Sequence, residues 1–243
     1  MEFSEKTLLV HICFHYVLDR IGYLQKMIEN ILTYPFLKID IIVDTNVDPE
    51  TVNLPENILQ KVIIKKHYPK EPFLLTWEHR PQMAKMVDQY DFFMYTEDDM
   101  LLPFNVLQKW YEDTLFLWPN YTRGFTRIET KNNIAYHTDS TKPNNGPIIK
   151  LNGKNFVKGY YQAMWIYTKE QFKFYMSTKE WNWDKQIKTS RINAAYGMFY
   201  SKPPLIDIEY ENNIIYHLPN NYVTNAKSQF AKIQIKNLIQ IKN

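Results

Sequence analysis

The stretch DFFMYTEDDM, from Asp91 to Met100, joins an apolar run directly to three consecutive acids. Asp91 to Thr96 has the length and composition of a buried strand, and Glu97, Asp98 and Asp99 follow where that strand ends. Like charges repel one another, and a carboxylate that is buried without a partner is costly. We therefore expect a positively charged group to lie against these acids.

Apolar, β-branched runs predict three further strands upstream of this stretch. They are Thr7–Val17, Ile39–Val43 and Val62–Ile64. Apolar residues also recur at helical spacing from Ile21 to Ile31 and from Leu74 to Gln89, and Pro81 either starts or kinks the second helix. The order strand, helix, strand, strand, helix, strand predicts an α/β fold with a mostly parallel central sheet flanked by helices. Ligands of such sheets bind beyond the carboxyl ends of the strands.

The second half of the sequence predicts shorter elements. Helices are predicted from Pro103 to Leu117, over Lys169–Met176 and over Arg191–Tyr200, and strands over Thr122–Ile128, Ala163–Tyr167, Ile206–Ile208 and Ile214–His217. The segment Lys131–Asn155 is predicted to be mostly loop. The sequence shows no internal repeat and no linker, which predicts a single domain.

The composition limits the classes of protein to which the chain can belong. With 243 residues, 45% hydrophobic and 23% charged, it is globular rather than disordered. A net charge of +3, with no dense Lys/Arg stripe before the C-terminus, argues against a nucleic-acid partner. The single cysteine, Cys13, excludes an internal disulfide and a cysteine metal cage, which indicates a reducing compartment. No run reaches the ~18 apolar residues of a membrane span and the N-terminus lacks the order of a signal peptide, so we expect a cytoplasmic protein without a transmembrane segment.

Several enzyme classes place acids at the end of a strand, and their glycine motifs distinguish them. A P-loop enzyme needs G-x-x-x-x-G-K-[ST], but Asn152-Gly153-Lys154 lacks the first glycine and the Ser or Thr. A dinucleotide-binding fold needs G-x-G-x-x-G after the first strand, and a sugar nucleotidylyltransferase needs a glycine-rich first loop; this sequence has neither. The structural alternative is a solvated acidic turn in front of the helix that begins near Pro103, where acids are favourable.

The segment Tyr95-Thr96-Glu97-Asp98-Asp99-Met100 resembles the D-x-D element of the GT-A glycosyltransferases. The order of elements from Thr7 to Asp99, and more loosely to His217, is similar to that of the family. The motif departs from strict D-x-D because its first acid is Glu97. The resemblance implies a GT-A (Rossmann-like) fold.

The resemblance also implies a domain organisation and an activity. One glycosyltransferase domain would cover residues 1–243, with a nucleotide-binding half at 1–100, an acceptor-side half at 101–225 and a basic amphipathic tail at 226–243. The enzyme would move a sugar from a nucleotide-diphosphate donor to a glycan or other hydroxyl acceptor with inversion at the anomeric carbon. The sequence leaves a retaining mechanism open.

A divalent cation, Mn²⁺ or Mg²⁺, is part of what the resemblance implies, because such an ion offsets the charge of the diphosphate leaving group. Asp99 would bind this cation. His217, which ends a short apolar run, would be a second ligand, since Mn²⁺ accepts imidazole as well as oxygen. Glu97 or Asp98 would contact the ribose or hold metal-bound water, and His137, in a predicted loop, is a further candidate ligand.

The resemblance implies a donor pocket at the strand ends of the first half. Asp44, at the end of the second strand, resembles the family's nucleobase or ribose contact. His15 and Tyr16 would line the same pocket, with Tyr16 stacking on the base. Arg80 would contact the diphosphate, because a guanidinium matches the geometry of phosphate.

An inverting transfer also needs a carboxylate that takes the proton from the acceptor hydroxyl. We predict Asp184, because the segment Trp181-Asn182-Trp183-Asp184 places it beside two indoles; Trp183 would pack on a sugar face, and an apolar wall raises a carboxyl pKa. The other acids considered for this role are Glu180, Glu209 and Glu211. Tyr161 and Gln162, which follow Gly159, are predicted acceptor or donor-sugar contacts.

Two other classes of protein remain as alternatives: a non-catalytic carbohydrate-binding domain that uses its aromatic residues, and a metal-dependent phosphohydrolase. The hydrolase usually needs more Asp and His ligands at strand ends than this sequence offers. The tail at residues 226–243 predicts a terminal helix docked on the domain. Its alternative is peripheral contact with a membrane or partner, because a basic amphipathic helix can lie on anionic lipid.

Overall fold

A computed structural model of the chain describes residues 2–138, 147–159, 163–182, 202–225 and 233–234. These residues belong to two compact units. Unit 1 comes from Met1–Asp98 and Ala163–Ser201, and unit 2 from Asp99–Gln162 and Lys202–Asn243. The chain passes from unit 1 to unit 2 inside the acid triplet. The single domain with a division at residue 100 stays a prediction.

The strands and helices of the described residues are numbered in chain order. The strands are β1 (Thr7–Phe14), β2 (Lys38–Thr45), β3 (Val62–Lys66), β4 (Phe92–Glu97), β5 (Met100–Leu101), β6 (Thr122–Arg123), β7 (Thr126–Lys131), β8 (Ile134–His137), β9 (Ile149–Leu151), β10 (Lys154–Lys158), β11 (Met164–Thr168), β12 (Pro204–Asp207), β13 (Ile214–His217) and β14 (Ile233–Gln234). The α-helices are α1 (Ile21–Leu32), α2 (Glu56–Leu59), α3 (His79–Lys85), α4 (Phe104–Leu117), α5 (Lys169–Met176) and α6 (Asn221–Thr224). In the described part of the chain, no helix has the length and apolar character needed to cross a membrane.

Unit 1 contains the parallel sheet that the sequence predicts. Its strand order is β11-β4-β1-β2-β3; β4, β1, β2 and β3 run parallel, and β11 is antiparallel to β4. After its first residue β1 is buried throughout, as expected of a central strand covered on both faces. Helix α1 buries one face, because its apolar residues recur at helical spacing; the buried residues are Leu24, Met27, Ile28 and Ile31. The prediction of a mixed α/β fold is thus confirmed.

Two element boundaries in unit 1 differ from the predictions. β1 ends at Phe14 rather than at Val17. The helix predicted over Leu74–Gln89 is a 3-10 turn, Pro72–Trp77, followed by the shorter α3. Pro81 lies in the first turn of α3, where its missing N–H breaks no helical hydrogen bond.

Unit 2 contains two mixed sheets among its described residues, ordered β6-β12-β10-β9 and β14-β8-β7-β13-β5. The single strand predicted over Thr122–Ile128 is wrong, because β6 and β7 belong to different sheets. Gly124 lies between them, and its N–H donates to the carbonyl of Leu205 at 2.8 Å. A Cβ at Gly124 would meet Pro204 at 3.4 Å, which is an ordinary van der Waals contact, so the backbone hydrogen bond rather than the lack of a side chain marks this crossing.

The loop predicted over Lys131–Asn155 is also wrong in part, since β8, β9 and the start of β10 fall within it. Two tight hairpins explain the difference. Asn132 and Asn133 have φ values of 52° and 60°, and Asn152 and Gly153 have φ values of 48° and 75°. Such left-handed pairs are typical of the two-residue turns that match strand twist, and Asn-Gly is their strongest sequence signal.

One predicted segment lies outside the described residues, and another is described only in part. The helix predicted over Arg191–Tyr200 lies outside the described residues. In the tail, the two described residues form β14, which pairs with β8. The helical prediction is therefore wrong at those two positions.

The strand predicted at Ile206–Ile208 is present as β12, but it begins earlier, at Pro204.

A buried ion cluster joins α4 to β6 and β10 within unit 2. Asp113 is fully buried and accepts hydrogen bonds from Arg123 Nε at 2.7 Å and from Lys154 Nζ at 2.5 Å. Arg123, 3% exposed, also donates to the carbonyl of Gly124 at 2.8 Å. Burial lowers the pKa of the Arg123 guanidinium, and the neighbouring Asp113 carboxylate opposes that shift. The carboxylate is thus the counter-ion of a cation that has little access to water.

We expect Asp113→Asn to lower the free energy of unfolding by about 3–5 kcal/mol, because it leaves Arg123 buried without its counter-ion. Glu112→Gln on the same helix is the matched control; Glu112 is exposed, pairs with Lys109 at 2.7 Å and should contribute about 0–1 kcal/mol. Urea denaturation of both variants measures the difference. Equal losses in the two variants would show that the buried pair does not stabilise unit 2.

Candidate functional site

The predicted strand-end residues of unit 1 meet at one edge of its sheet. In the sheet register Cys13 of β1 is flanked by Asp44 of β2 and Glu97 of β4. His15, exposed, and Tyr16, half-buried, follow β1 directly. The pKa of the Cys13 thiol is raised well above its usual value, first by burial and then by the negative charges of Glu97, Asp44 and Asp98. Three carboxylates therefore lie near this thiol, at the edge where the predicted ligand is a nucleotide diphosphate.

Asp44 is occupied by two imidazoles. It is 2% exposed, with one oxygen 2.6 Å from His11 Nδ1 and the other 2.7 Å from His67 Nε2. The second nitrogen of His67 lies 3.3 Å from Glu78, which continues the chain of contacts toward the surface. Burial raises the pKa of Asp44, but the hydrogen bonds from His11 and His67 outweigh it and lower the pKa to about 2. The nucleotide contact at Asp44 stays a prediction, and a ligand there would compete with both histidines.

Arg80 is likewise engaged inside unit 1. It is 4% exposed, and its guanidinium lies 3.5 Å from the ring centre of Trp77 and 4.9 Å from that of Trp181. It also donates to the carbonyl of Trp181 at 2.9 Å and to that of Glu180 at 3.3 Å. Burial lowers the pKa of Arg80 to about 9. The structure therefore uses Arg80 to hold the Glu180–Trp181 backbone, and its diphosphate contact stays a prediction.

His79, next to Arg80, lies in an aromatic cage. It is 1% exposed and stacks on Tyr95 at a centroid distance of 4.4 Å, with Trp165 at 5.7 Å. Burial and then the positive charge of Arg80 hold the pKa of His79 well below its usual value. The imidazole is therefore neutral and acts as part of the core.

Asp98 has the positive partner that the sequence predicts for the acid triplet. Arg20 donates a hydrogen bond to each of its carboxylate oxygens, from Nε to Oδ2 at 2.8 Å and from Nη2 to Oδ1 at 2.7 Å. Arg20 ends the 3-10 turn Leu18–Arg20 that follows β1, and the sequence analysis did not select it. Arg20 lies six residues after the end of β1, and nothing in the local sequence distinguishes it from a solvated arginine.

Asp99 and His217, the two predicted cation ligands, lie together in unit 2. Asp99 Oδ2 is 3.3 Å from His217 Nε2, and the N–H of Leu218 donates to the Asp99 carbonyl at 3.0 Å. The other ring nitrogen, Nδ1, lies 2.5 Å from Glu129. Burial lowers the pKa of His217, but contacts with Asp99 and Glu129 outweigh it, and the net pKa is raised.

Glu129 was missed by the sequence analysis for a physical reason. Strand alternation places it on the same face of β7 as Arg127 and Lys131, which reads as a solvated face. The short helix α6 instead packs near it, and the N–H of Val223 donates to Glu129. Tertiary structure therefore buries a residue that alternation assigns to solvent.

The donor types of this pair suit a hard or borderline divalent cation. A carboxylate oxygen and an imidazole nitrogen are ligands that Mn²⁺ accepts, and Mg²⁺ prefers the oxygen alone. Within the described residues, no group of three or more His, Cys, Asp or Glu side chains is arranged to hold a metal ion. A cation at Asp99 and His217 would therefore take its remaining ligands from water or from a bound substrate.

Some of the other predicted site residues lie outside the described structure, and the burial of the rest can be stated. Several lie outside the described residues, namely Asp184, Trp183, Tyr161 and Gln162. His137, predicted in a loop, is instead buried at the end of β8. Of the alternative bases, Glu180 is half-buried, and Glu209 and Glu211 are exposed. A side chain at Gly159 would come within 2.5 Å of Ile206, so that glycine is required by packing within unit 2.

Comparison with known proteins supports the fold. No protein-family model matches the chain, and no curated protein matches its sequence. Among solved structures, residues 1–349 of TarS from S. aureus, a wall teichoic acid glycosyltransferase, match with a TM-score of 0.50 and 10% identity. The match covers 89% of this chain but 62% of the TarS structure, so the chain spans less than two thirds of that neighbour. At this identity the likeness shows that the chain shares its fold with a glycosyltransferase.

We expect Asp44→Asn to destabilise the protein by about 1–3 kcal/mol, because an amide offers one acceptor oxygen where the carboxylate serves two imidazoles. Asp88→Asn, also in unit 1, is the control; Asp88 is exposed and pairs with Lys173 at 2.6 Å, so the expected loss of stability is small. Thermal and urea unfolding measure both variants. Normal stability of Asp44→Asn with weakened nucleotide binding would instead identify Asp44 as a ligand contact.

Proposed function

We propose that this chain is a metal-dependent glycosyltransferase that moves a sugar from a nucleotide-diphosphate donor to a hydroxyl acceptor. The observation that carries the proposal is the approach of Asp99 to His217, 3.3 Å apart, where Asp99 directly precedes β5 and His217 ends the neighbouring strand β13. Both were selected from the sequence as cation ligands, although they are distant in the chain. The fold shared with a glycosyltransferase raises the prior for this activity, but fold alone does not determine function.

The cation centre is proposed at Asp99 and His217 of unit 2. When bound, Mn²⁺ or Mg²⁺ offsets the negative charge that develops on the leaving diphosphate. The carboxylate of Asp99 supplies a hard oxygen ligand, and His217 supplies Nε2. Two protein ligands leave most of the coordination shell to the donor and to water, so we expect the cation and the donor to bind together.

The nucleotide contacts are proposed at the strand ends of unit 1. His15 and Tyr16 are the accessible predicted residues there, and Tyr16 is held in place because its N–H donates to Asn46 at 2.8 Å. Glu97, half-buried at the end of β4, is proposed to contact the ribose. Tyr161 and Gln162, which follow Gly159 in the sequence, are proposed to contact the acceptor or the donor sugar.

The transfer itself requires a base on the acceptor side. The acceptor oxygen forms a bond to the anomeric carbon as the carbon–oxygen bond to the diphosphate breaks. The acceptor proton passes to the carboxylate of Asp184, which lies beside Trp183 in the sequence. A carboxylate held by a cation at the leaving group would lie on the opposite face of the sugar, so Asp99 is excluded from this role.

We expect nucleotide sugars to stabilise the protein only in the presence of Mn²⁺ or Mg²⁺. A thermal-shift panel of UDP-, GDP-, CMP- and TDP-linked sugars, with each metal and with chelator, measures this; saturation at 100 times Kd corresponds to about 2.7 kcal/mol. Asp99→Asn should remove the metal-dependent part of the shift and reduce transfer by orders of magnitude, whereas the exposed-site control Glu112→Gln should not.

Other outcomes of the panel separate the alternative functions. Stabilisation by free sugars without nucleotide or metal would indicate a carbohydrate-binding domain. Release of inorganic phosphate without an acceptor would indicate a phosphohydrolase. A folded Asp99→Asn variant with normal turnover would count against the cation centre.

The stereochemical proposal is tested on the product. We expect NMR to show an inverted anomeric configuration, and Asp184→Asn to lower turnover by about 10²–10⁴-fold while donor and metal affinity stay unchanged. A product that keeps the configuration of the donor would refute inversion. An inverted product from a fully active Asp184→Asn variant would transfer the base role to Glu180, Glu209 or Glu211.

A further inference from the structure

Glu129 is a buried carboxylate to which the proposed reaction assigns no role. It lies on β7, is 1% exposed, and both of its oxygens are engaged. One oxygen, Oε1, lies 2.5 Å from His217 Nδ1, and the other, Oε2, accepts a 2.6 Å hydrogen bond from the N–H of Val223. A carboxylate removed from water is stable only with such partners, so these two contacts fix its position.

These contacts also determine which nitrogen of His217 faces Asp99. Because Nδ1 is held by Glu129, Nε2 is the nitrogen that lies 3.3 Å from Asp99 Oδ2. The ring of Tyr222 stacks on the imidazole at a centroid distance of 5.3 Å and an interplanar angle of 20°. The hydrogen bond and the stacked ring together favour one ring orientation.

Three neighbouring strands of one sheet carry these side chains. β13 lies between β5 and β7, where His217 pairs with Met100 and Tyr216 pairs with Ile128. Asp99 directly precedes β5, and Glu129 directly follows Ile128 on β7. The three polar residues therefore occupy one level of the sheet, and strand pairing sets their spacing.

We propose that Glu129 is a positioning residue for divalent-cation binding: it accepts the Nδ1–H hydrogen bond of His217 and so presents the Nε2 lone pair on the side of Asp99. This inference rests on the proposed function, since it deepens the cation centre assigned to Asp99 and His217. Glu129 itself cannot share that cation through the same nitrogen, because it lies against the opposite edge of the ring.

The chemistry of the arrangement supports this role. A neutral imidazole carries one proton, and a carboxylate at Nδ1 keeps that proton there and leaves Nε2 as the electron-pair donor. The carboxylate also makes the imidazole a stronger ligand, and loss of such an outer partner typically weakens metal binding by about 10–100-fold. The hydrogen bond from Val223 holds the carboxylate in turn, so the orientation extends from the backbone of α6 to the cation ligand.

The test is a Mn²⁺ titration of the full chain, followed by electron paramagnetic resonance of the free ion, alone and with UDP or GDP. The variants are Glu129→Gln and Glu129→Ala. We expect Glu129→Ala to raise the Kd for Mn²⁺ by about 10–100-fold. Glu129→Gln should lose less, because its amide oxygen still accepts from Nδ1–H.

A buried carboxylate elsewhere in unit 2 provides the matched control. Asp207 is 2% exposed and accepts a hydrogen bond from the N–H of Glu209 at 2.9 Å, but it does not contact His217 in the described structure. Asp207→Asn should lower thermal stability and leave the Kd for Mn²⁺ unchanged. This comparison separates loss of His217 positioning from general destabilisation of unit 2. If Glu129→Ala does not fold, the near-isosteric Glu129→Gln variant still tests the positioning role.

The outcomes distinguish this inference from the proposed function. If Asp99→Asn and His217→Ala abolish Mn²⁺ binding but the Glu129 variants bind normally, the positioning role is wrong and the cation centre stands. Loss of stability in the Glu129 variants without a change in the Kd overturns the inference in the same way. If the wild-type chain binds no Mn²⁺ with or without nucleotide, the metal-dependent function itself fails, and the role of Glu129 fails with it.

Discussion

Removal of a carboxylate from water costs several kcal/mol unless hydrogen bonds or opposite charges replace the lost hydration. The described part of this chain buries several acids, and those discussed above have specific partners. Asp44 has two imidazoles, Asp98 has a bidentate arginine, and Asp113 has an arginine and a lysine. These partners come from distant segments of the chain, so each buried acid connects two or more elements. An acid whose oxygens are already paired is not available to bind a ligand.

In unit 1 this constraint reduces the number of predicted donor-pocket residues that a ligand can reach. Asp44 and Arg80, both selected as substrate contacts, are 2% and 4% exposed and already engaged within the unit. Arg80 in particular contacts two indole rings and two backbone carbonyls instead of water. A guanidinium tolerates this burial because its planar cation is weakly hydrated. His15 is exposed and Tyr16 and Glu97 are half-buried at that edge, so the nucleotide contacts proposed there would depend on these residues rather than on the buried network.

In unit 2 the same constraint produces a different arrangement. Asp99, His217 and Glu129 alternate acid, imidazole and acid across neighbouring strands. A protonated His217 can satisfy both carboxylates, and a cation bound at Nε2 would take the place of that proton. The fold shared with a glycosyltransferase is compatible with this centre, but the assignment rests on the side chains, because many activities use one fold.

The sequence by itself determined the elements whose patterns are local. Apolar runs identified the strands of the parallel sheet, helical spacing identified α1, α4 and α5, and the strand ends located the acid triplet. The two tight hairpins carry a local signal in Asn-Asn and Asn-Gly, which the prediction of a loop over Lys131–Asn155 did not use. Tertiary structure decided which charged groups meet. Arg20, His67 and Glu129 carry no local pattern that distinguishes them from solvated residues, and each is defined by a partner far away in the chain. Pairing of buried charges depends on the packing of whole elements, which is why the sequence did not identify Glu129 and the folded sheet places it against His217.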